Sequence, residues 1–253
     1  MKRFLLFLIS AALLIPIITT SAAGEEYHFY VKRGKDHTPP TTDERFLSTF
    51  GDACFYLDCT AAQSGEKKIY LTFDAGYENG NVAKILDVLK EENVPAAFFV
   101  LSHFVKSAPE LIARMNEEGH LVCNHTASHK NMARMDSACF TAELDRLDSL
   151  YFDLTGKRLA RFYRPPEGTF SVSNIDTAKK MGYKTVFWSL SYKDWHDDIA
   201  TCKEKALEIL KKNTHPGAIV LLHPTTAQNT EILREMIAYW RAEGYTISSL
   251  NEI

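Results

Sequence analysis

The chain has 253 residues, a net charge of −3 at neutral pH, 45% hydrophobic and 24% charged residues. That length and balance suit one folded domain with a sizeable core, and the absence of any basic block argues against nucleic acid as a partner.

In chain order, Lys2 and Arg3 precede an almost unbroken apolar run from Phe4 to Ile18, followed by small residues Ser21, Ala22 and Ala23. This is the pattern of a secretory signal peptide over residues 1–23, cut after Ala23; an uncleaved signal anchor is the alternative. Either way the folded part lies outside the cytosol. No later stretch is long and apolar enough to span a bilayer. Loss of Lys2 and Arg3 takes the charge from −3 to −5.

Residues 24–66 form an irregular arm with turn signals at Pro39-Pro40-Thr41-Thr42, Gly51-Asp52 and Gln63-Ser64-Gly65. Its aromatics (Tyr27, Phe29, Tyr30, Phe46, Phe50, Phe55, Tyr56) predict an arm packed on the domain, since disordered chains are poor in aromatics. The five cysteines, Cys54, Cys59, Cys123, Cys139 and Cys202, are an odd number and make no closed disulfide framework. Cys54 and Cys59 could pair across a turn; buried free thiols are the default expectation.

From residue 67 to 253 the pattern is regular. Strands are expected at 68–73, 96–100, 120–123, 160–163, 185–188, 218–222 and 245–248, each a short apolar or alternating run. Helices are expected at 81–92, 109–118, 136–154, 174–181, 203–212 and 230–242, on apolar residues at helical spacing and end signals such as Pro109 and Gly119. Seven strands alternating with six helices predict an α/β fold, an irregular (β/α) barrel of about seven parallel strands; an open doubly wound sheet is the alternative.

Loops after the strands of such a fold share one end of the sheet. In this chain they carry Asp74, the pair His125 and His129, Arg164 with Glu167, Asp194 with Trp195, and His223. Two imidazoles four residues apart can offer two ligands to one divalent ion, which lowers the pKa of bound water and polarises a carbonyl. Asp74 can take a proton from water, Arg164 can keep Asp74 ionised, and His223 can protonate a leaving nitrogen with its tautomer set by Asp194. Trp195 offers an apolar wall. Together they point to metal-assisted hydrolysis of an amide or ester. Plainer readings exist for each: Asp74 as a turn cap, Arg164 as a surface pairing group, Asp194 solvated beside Lys193, His223 as a packed histidine.

Five ordered motifs resemble the polysaccharide deacetylase (NodB-homology, carbohydrate esterase 4) family. They are Thr72-Phe73-Asp74-Ala75-Gly76, His125-Thr126-Ala127-Ser128-His129, Arg164-Pro165-Pro166-Glu167-Gly168, Asp194-Trp195 and Leu222-His223. The resemblance covers residues 67–253 and implies a deformed (β/α) barrel that removes N-acetyl groups from an amino sugar with a zinc-type ion. It implies Asp74 as catalytic base, His223 as catalytic acid, Arg164 orienting the base, Asp194 tuning the acid, and His125 and His129 on the metal. The Glu167 backbone N–H would face the oxyanion, and Trp195, Tyr77 and Leu222 the sugar.

The longer run from Thr72 to Gly80, the arm segment His37-Thr38-Pro39-Pro40 and Val186-Phe187-Trp188-Ser189-Leu190 resemble the spore-cortex deacetylases that lead to muramic-δ-lactam. The partner so implied is a peptidoglycan glycan strand, met by an exported monomer in the cell wall or the forespore intermembrane space. Ala75 stands where the family has a third metal ligand, so the ion would be weakly held; Ser191 also departs from the pattern. The alternatives are an N-acetylglucosamine deacetylase and a glycan-binding member with impaired catalysis.

Overall fold

The computed structural model describes residues 25–43, 53–195 and 201–253. The leader over residues 1–23, Phe46, Phe50 and Gly51-Asp52 lie outside the described residues. The elements, in order, are β1 (Tyr27–His28), β2 (Cys54–Phe55), α1 (Cys59–Ser64), β3 (Lys68–Ala75), α2 (Asn81–Glu91) and β4 (Ala97–Val100). Then come α3 (Ser102–Ser107), α4 (Pro109–Glu117), β5 (Leu121–Asn124), α5 (Ser137–Thr155), β6 (Ala160–Tyr163) and β7 (Thr169–Phe170). The last are α6 (Val172–Lys180), β8 (Lys184–Val186), α7 (Lys203–Asn213), β9 (Ala218–Leu222), α8 (Gln228–Ala242) and β10 (Thr246–Ser248).

β3 is the strand on which the sheet is built. Every residue from Ile69 to Ala75 is buried, as expected of a parallel strand covered on both faces. Along β3, β10 pairs with residues 68–70, β9 with residues 69–73 and β4 with residues 72–75. From β4 the parallel sheet continues through β5, β6, β8 and β2. Beyond β8 the chain crosses to β9, where Ser189 and Leu190 donate their N–H groups to Ile219 O at 3.0 and 3.2 Å. That crossing curls the sheet into the irregular parallel barrel expected from the β-α alternation.

Helical faces follow from spacing. Val82, Ile85, Leu86 and Leu89 of α2 pack against the outside of the barrel with β3 and β4 residues. The Asp136 side chain caps α5 by accepting the Cys139 N–H at 2.7 Å, and Pro109 opens α4.

Three differences from expectation accompany the contacts that hold the arm. Cys54–Phe55 is a strand, added to β8 by register alone, too short to show a periodicity. β8 stops at Val186 because the residues after Phe187 turn to pair with β9. The arm is ordered by β1, which pairs antiparallel with β7, and by Phe29, which stacks on Phe187 at 4.3 Å. All five cysteines are free, but only Cys54 and Cys123 are buried; Cys59, Cys139 and Cys202 face outward. Among the described residues no helix is long and apolar enough to cross a membrane.

Candidate active site

The carboxyl ends of the strands converge on one pocket of about 570 Å³, within the size range of small-ligand sites. Asp74, Tyr77, His125, His129, Glu167, Trp195 and His223 line it, with Leu101, Trp188 and Leu221 as apolar wall. Arg164 and Asp194 stand behind this surface, each fully buried. Leu222, expected against the sugar, is instead packed into the core and Leu221 lines the pocket. Strand alternation explains the exchange, since neighbours on β9 face opposite sides.

Asp74 lies in the last turn of pleat of β3. Its Oδ1 accepts from Arg164 Nη1 at 2.7 Å, and its Oδ2 lies 3.6 Å from His125 Nε2. Burial pushes the Asp74 carboxyl up, but the Arg164 charge and the imidazoles outweigh it and hold the group below the ordinary aspartate value. Arg164 follows β6 and is itself held on every side. Its Nη2 donates to Thr72 Oγ1 at 2.9 Å and to Phe187 O, its Nε donates to Val186 O, and its plane lies 4.1 Å from the Phe99 ring centre. A guanidinium so fixed gives Asp74 one orientation.

His125 follows β5. Its Nδ1–H donates to Arg164 O at 2.9 Å, which leaves the Nε2 lone pair toward Asp74 and the pocket. Burial lowers its pKa to about 4, so the ring is neutral at physiological pH. The ring of His129 lies 5.1 Å away, centre to centre. The two histidines come from a tight loop, not a helical turn: Thr126 and His129 have φ of 74° and 55°.

The third cluster is built around Asp194. Its Oδ1 accepts the His223 Nδ1–H at 2.8 Å and its Oδ2 accepts the His223 backbone N–H, also at 2.8 Å. Burial alone would lower the His223 pKa, but the Asp194 hydrogen bond and charge raise it above the ordinary value of 6.5. Trp195, with its ring 6.1 Å from that of His223, and Tyr77 remain exposed at the rim.

Residues given no role from the sequence complete the arrangement. Asn229 on α8 donates to Asp194 Oδ2 at 2.6 Å and to His223 O at 2.8 Å, and accepts from Tyr192 Oη at 2.7 Å. Thr72 Oγ1, besides receiving Arg164, donates to Val220 O at 2.6 Å. The only sequence signal for Asn229 is a polar residue on an otherwise apolar helix face.

Two imidazoles opening on one pocket suit a divalent ion as a pair. Among the described residues, however, no cluster of three or more His, Cys, Asp or Glu side chains is arranged to hold one. Ala75, the place where a third ligand would stand, is a fully buried methyl in the core. Protein zinc sites normally have at least three protein ligands, so an ion here depends on water and substrate to complete its shell.

The profile of the polysaccharide deacetylase family matches residues 61–186. The chain is 40% identical to the peptidoglycan-N-acetylmuramic acid deacetylase PdaA of Bacillus subtilis, covering 91% of this chain and 86% of that protein. It is 36% identical to a chitooligosaccharide deacetylase of Bradyrhizobium, over 63% of this chain and 72% of the other. The structure of Bacillus subtilis PdaA, a family 4 carbohydrate esterase, superposes with a TM-score of 0.85 at 39% identity, covering 90% of this chain and 96% of that one.

Proposed function

This chain belongs to the polysaccharide deacetylase family, and from that premise we propose that it hydrolyses the N-acetyl amide of N-acetylmuramic acid in peptidoglycan. The observation that carries the reading is a pair of oppositely tuned groups on one pocket: an Asp74 carboxyl held low and a His223 imidazole held high. Asp74 is then ionised at neutral pH and ready to take a proton, and His223 keeps its proton to higher pH than an unpaired histidine, ready to give it.

Asp74 Oδ1 is engaged by Arg164, so Oδ2 receives the proton of the attacking water. Water oxygen bonds to the acetyl carbon, and the oxyanion accepts from the Glu167 backbone N–H, presented by a left-handed residue at the pocket wall (φ 56°). His223 donates its Nε2 proton to the sugar nitrogen as the C–N bond breaks, leaving acetate and a free amine. Asp194 stabilises the imidazolium before that transfer. His125 and His129 would hold a divalent ion, zinc by the preference of imidazole, which when bound supplies Lewis acidity toward the acetyl carbonyl. Trp195 and Tyr77 flank the sugar.

The freed amine is placed to close a δ-lactam on the lactyl group of the same sugar, the chemistry of spore cortex. The exported reading supports that setting: a signal peptide over residues 1–23, an arm over 24–66 and a catalytic domain over 67–253, acting as a monomer on glycan outside the cytoplasm.

A second reading, N-acetylglucosamine as substrate, is favoured by one observation. No Lys or Arg is among the described residues lining the pocket, so a lactyl carboxylate meets no free cation there. A binder without catalysis is disfavoured by the retention of Asp74 and His223, which binding alone does not require.

Mass spectrometry of glycan fragments treated with residues 24–253 tests these readings. The panel holds muramic acid with and without its stem peptide, and N-acetylglucosamine oligomers. Acetyl loss from muramic acid supports the first reading; loss from glucosamine alone moves the protein to the second.

A further inference from the structure

The loop that carries His125 and His129 is held in a conformation its own residues disfavour. Thr126 is β-branched, fully buried and at φ 74°, and His129 is at φ 55°. Left-handed backbone at a β-branched residue persists only where surrounding structure over-determines it.

The restraints come from one turn of α5. Leu144 O accepts from Asn124 Nδ2 at 3.0 Å, and Asn124 Oδ1 in turn accepts the Thr126 N–H at 2.9 Å. The neighbouring residue, Glu143, reaches the other end of the loop. Its Oε2 accepts both the backbone N–H of Ser128, at 3.0 Å, and the Ser128 hydroxyl, at 2.7 Å. Adjacent positions on one helix therefore grip Asn124 and Ser128, the residues on either side of the stretch from His125 to Ala127. The Thr126 hydroxyl adds a third tie by accepting the His129 N–H at 3.0 Å.

Glu143 is an unusual residue to find there. It is buried on a face otherwise made by Phe140, Leu144, Leu147 and Tyr151 with Asp148, and among the described residues its second oxygen pairs with the exposed Arg146. A buried carboxylate is retained only where hydrogen bonds satisfy it. Here the satisfying donors are the two polar hydrogens of Ser128, one residue before His129, on Oε2 and the Arg146 guanidinium on Oε1.

We propose that Glu143 is a positioning residue that sets the placement of the His129 imidazole relative to His125, acting through Ser128. This rests on the reading of the two histidines as active-site groups. Removing the carboxylate frees Ser128, lets the left-handed loop relax and moves the His129 ring, without touching the Asp74–Arg164 or Asp194–His223 pairs.

The test compares Glu143→Ala, Glu143→Gln and Ser128→Ala, with the double variant Glu143→Ala/Ser128→Ala, in acetate release and in NMR of the histidine rings. Glu143→Ala is expected to lower kcat about tenfold or more with KM nearly unchanged, the scale seen when a partner that orients a functional histidine is lost. Glu143→Gln keeps an acceptor oxygen of the same reach and is expected to rescue most of that loss. The double variant should be little worse than Glu143→Ala. In Glu143→Ala the His129 ring signal should move, whereas that of His215, whose ring is bonded to Ser189 Oγ at 2.9 Å, should stay. Should Glu143→Ala not fold, Glu143→Asp, one methylene short of Ser128, carries the same comparison.

Wild-type kcat in Glu143→Ala or Glu143→Asp would overturn the proposal, as would His129 and His215 signals that shift together, the mark of general loosening. Failure of the deacetylase reading looks different: wild-type protein then releases no acetate from any glycan, and the His129 signal alone decides the positioning role.

Discussion

Asp194 holds His223 through two atoms at once, one carboxylate oxygen on the ring Nδ1–H and the other on the backbone N–H, both at 2.8 Å. Ring and chain are thereby locked together, and the tautomer with Nε2 toward the pocket is the one that can deliver a proton. Because the carboxylate raises the His223 pKa above 6.5, the acid stays protonated to higher pH than an unpaired histidine would. Activity should accordingly fall on the alkaline side only above that value. Asp194→Asn removes the charge, so its alkaline limb should move to lower pH and kcat should drop by roughly 10²-fold or more. A pH–rate profile on a soluble glycan measures both. An unmoved limb in the variant would remove Asp194 from its tuning role.

Arg164 and Asp74 make the corresponding prediction for stability. The folded Asp74 carboxyl lies below 3.8, so the pair contributes stability above that pH and loses it as pH falls through the folded value. In Arg164→Met the burial of Asp74 is opposed only by the imidazoles, its pKa rises, and the variant becomes relatively less unstable on acidification. The deficit against wild type should be about 3–5 kcal/mol at pH 7, the cost of stranding a buried charge, and smaller at pH 4.5. Urea denaturation at the two pH values gives both numbers. Equal deficits would mean that the loss is packing against Phe99 and not charge.

At the rim, Trp195 and Tyr77 are 47% and 61% exposed, unusual for rings of their size. Tyr77 leans on His103, with ring centres 4.8 Å apart, so its face is held in place without a ligand. Stacking of a sugar on such a platform predicts that Trp195→Ala or Tyr77→Ala raises KM several-fold, with a smaller change in kcat. The comparison should be made on long and short glycans. If the Tyr77 variant loses nothing on long chains, that ring is not a platform.

Much of this arrangement is legible in the sequence. Parallel strands buried on both faces read as apolar runs, and the polar residue after each run marks the mouth of the barrel, so Asp74, His125, Arg164 and His223 stood out. What spacing cannot show is contact between distant elements. Asn229 reaches Asp194 across 35 positions, and Glu143 reaches Ser128 from a helix whose apolar periodicity gives no reason to expect a working carboxylate. For Leu222 the obstacle is smaller: the motif ends on it, but strand parity turns its side chain into the core. The two-residue strand Cys54–Phe55 exists only because β8 offers it an edge.

Ala75 carries the sharpest metal prediction. Among the described residues no third side chain is arranged to complete a metal site with the two imidazoles, although Asp74 Oδ2 lies 3.6 Å from His125 Nε2, and Ala75 is wholly enclosed, in line with Val100 on the neighbouring strand. Ala75→Asp would bury a second carboxylate next to Asp74, so the metal-free variant should be less stable than wild type. An ion that neutralises this carboxylate and gains it as a ligand reverses the order, because binding to the folded state alone adds stability in proportion to affinity. Calorimetric titration with Zn²⁺ should therefore show tighter binding in Ala75→Asp by tenfold or more, and the Tm gain on adding zinc should exceed that of wild type. Equal affinities would mean that the methyl position does not face the ion at all. Wild-type binding already in the nanomolar range would mean instead that two imidazoles, water and whatever else the pocket supplies suffice, and that the missing ligand costs this chain nothing.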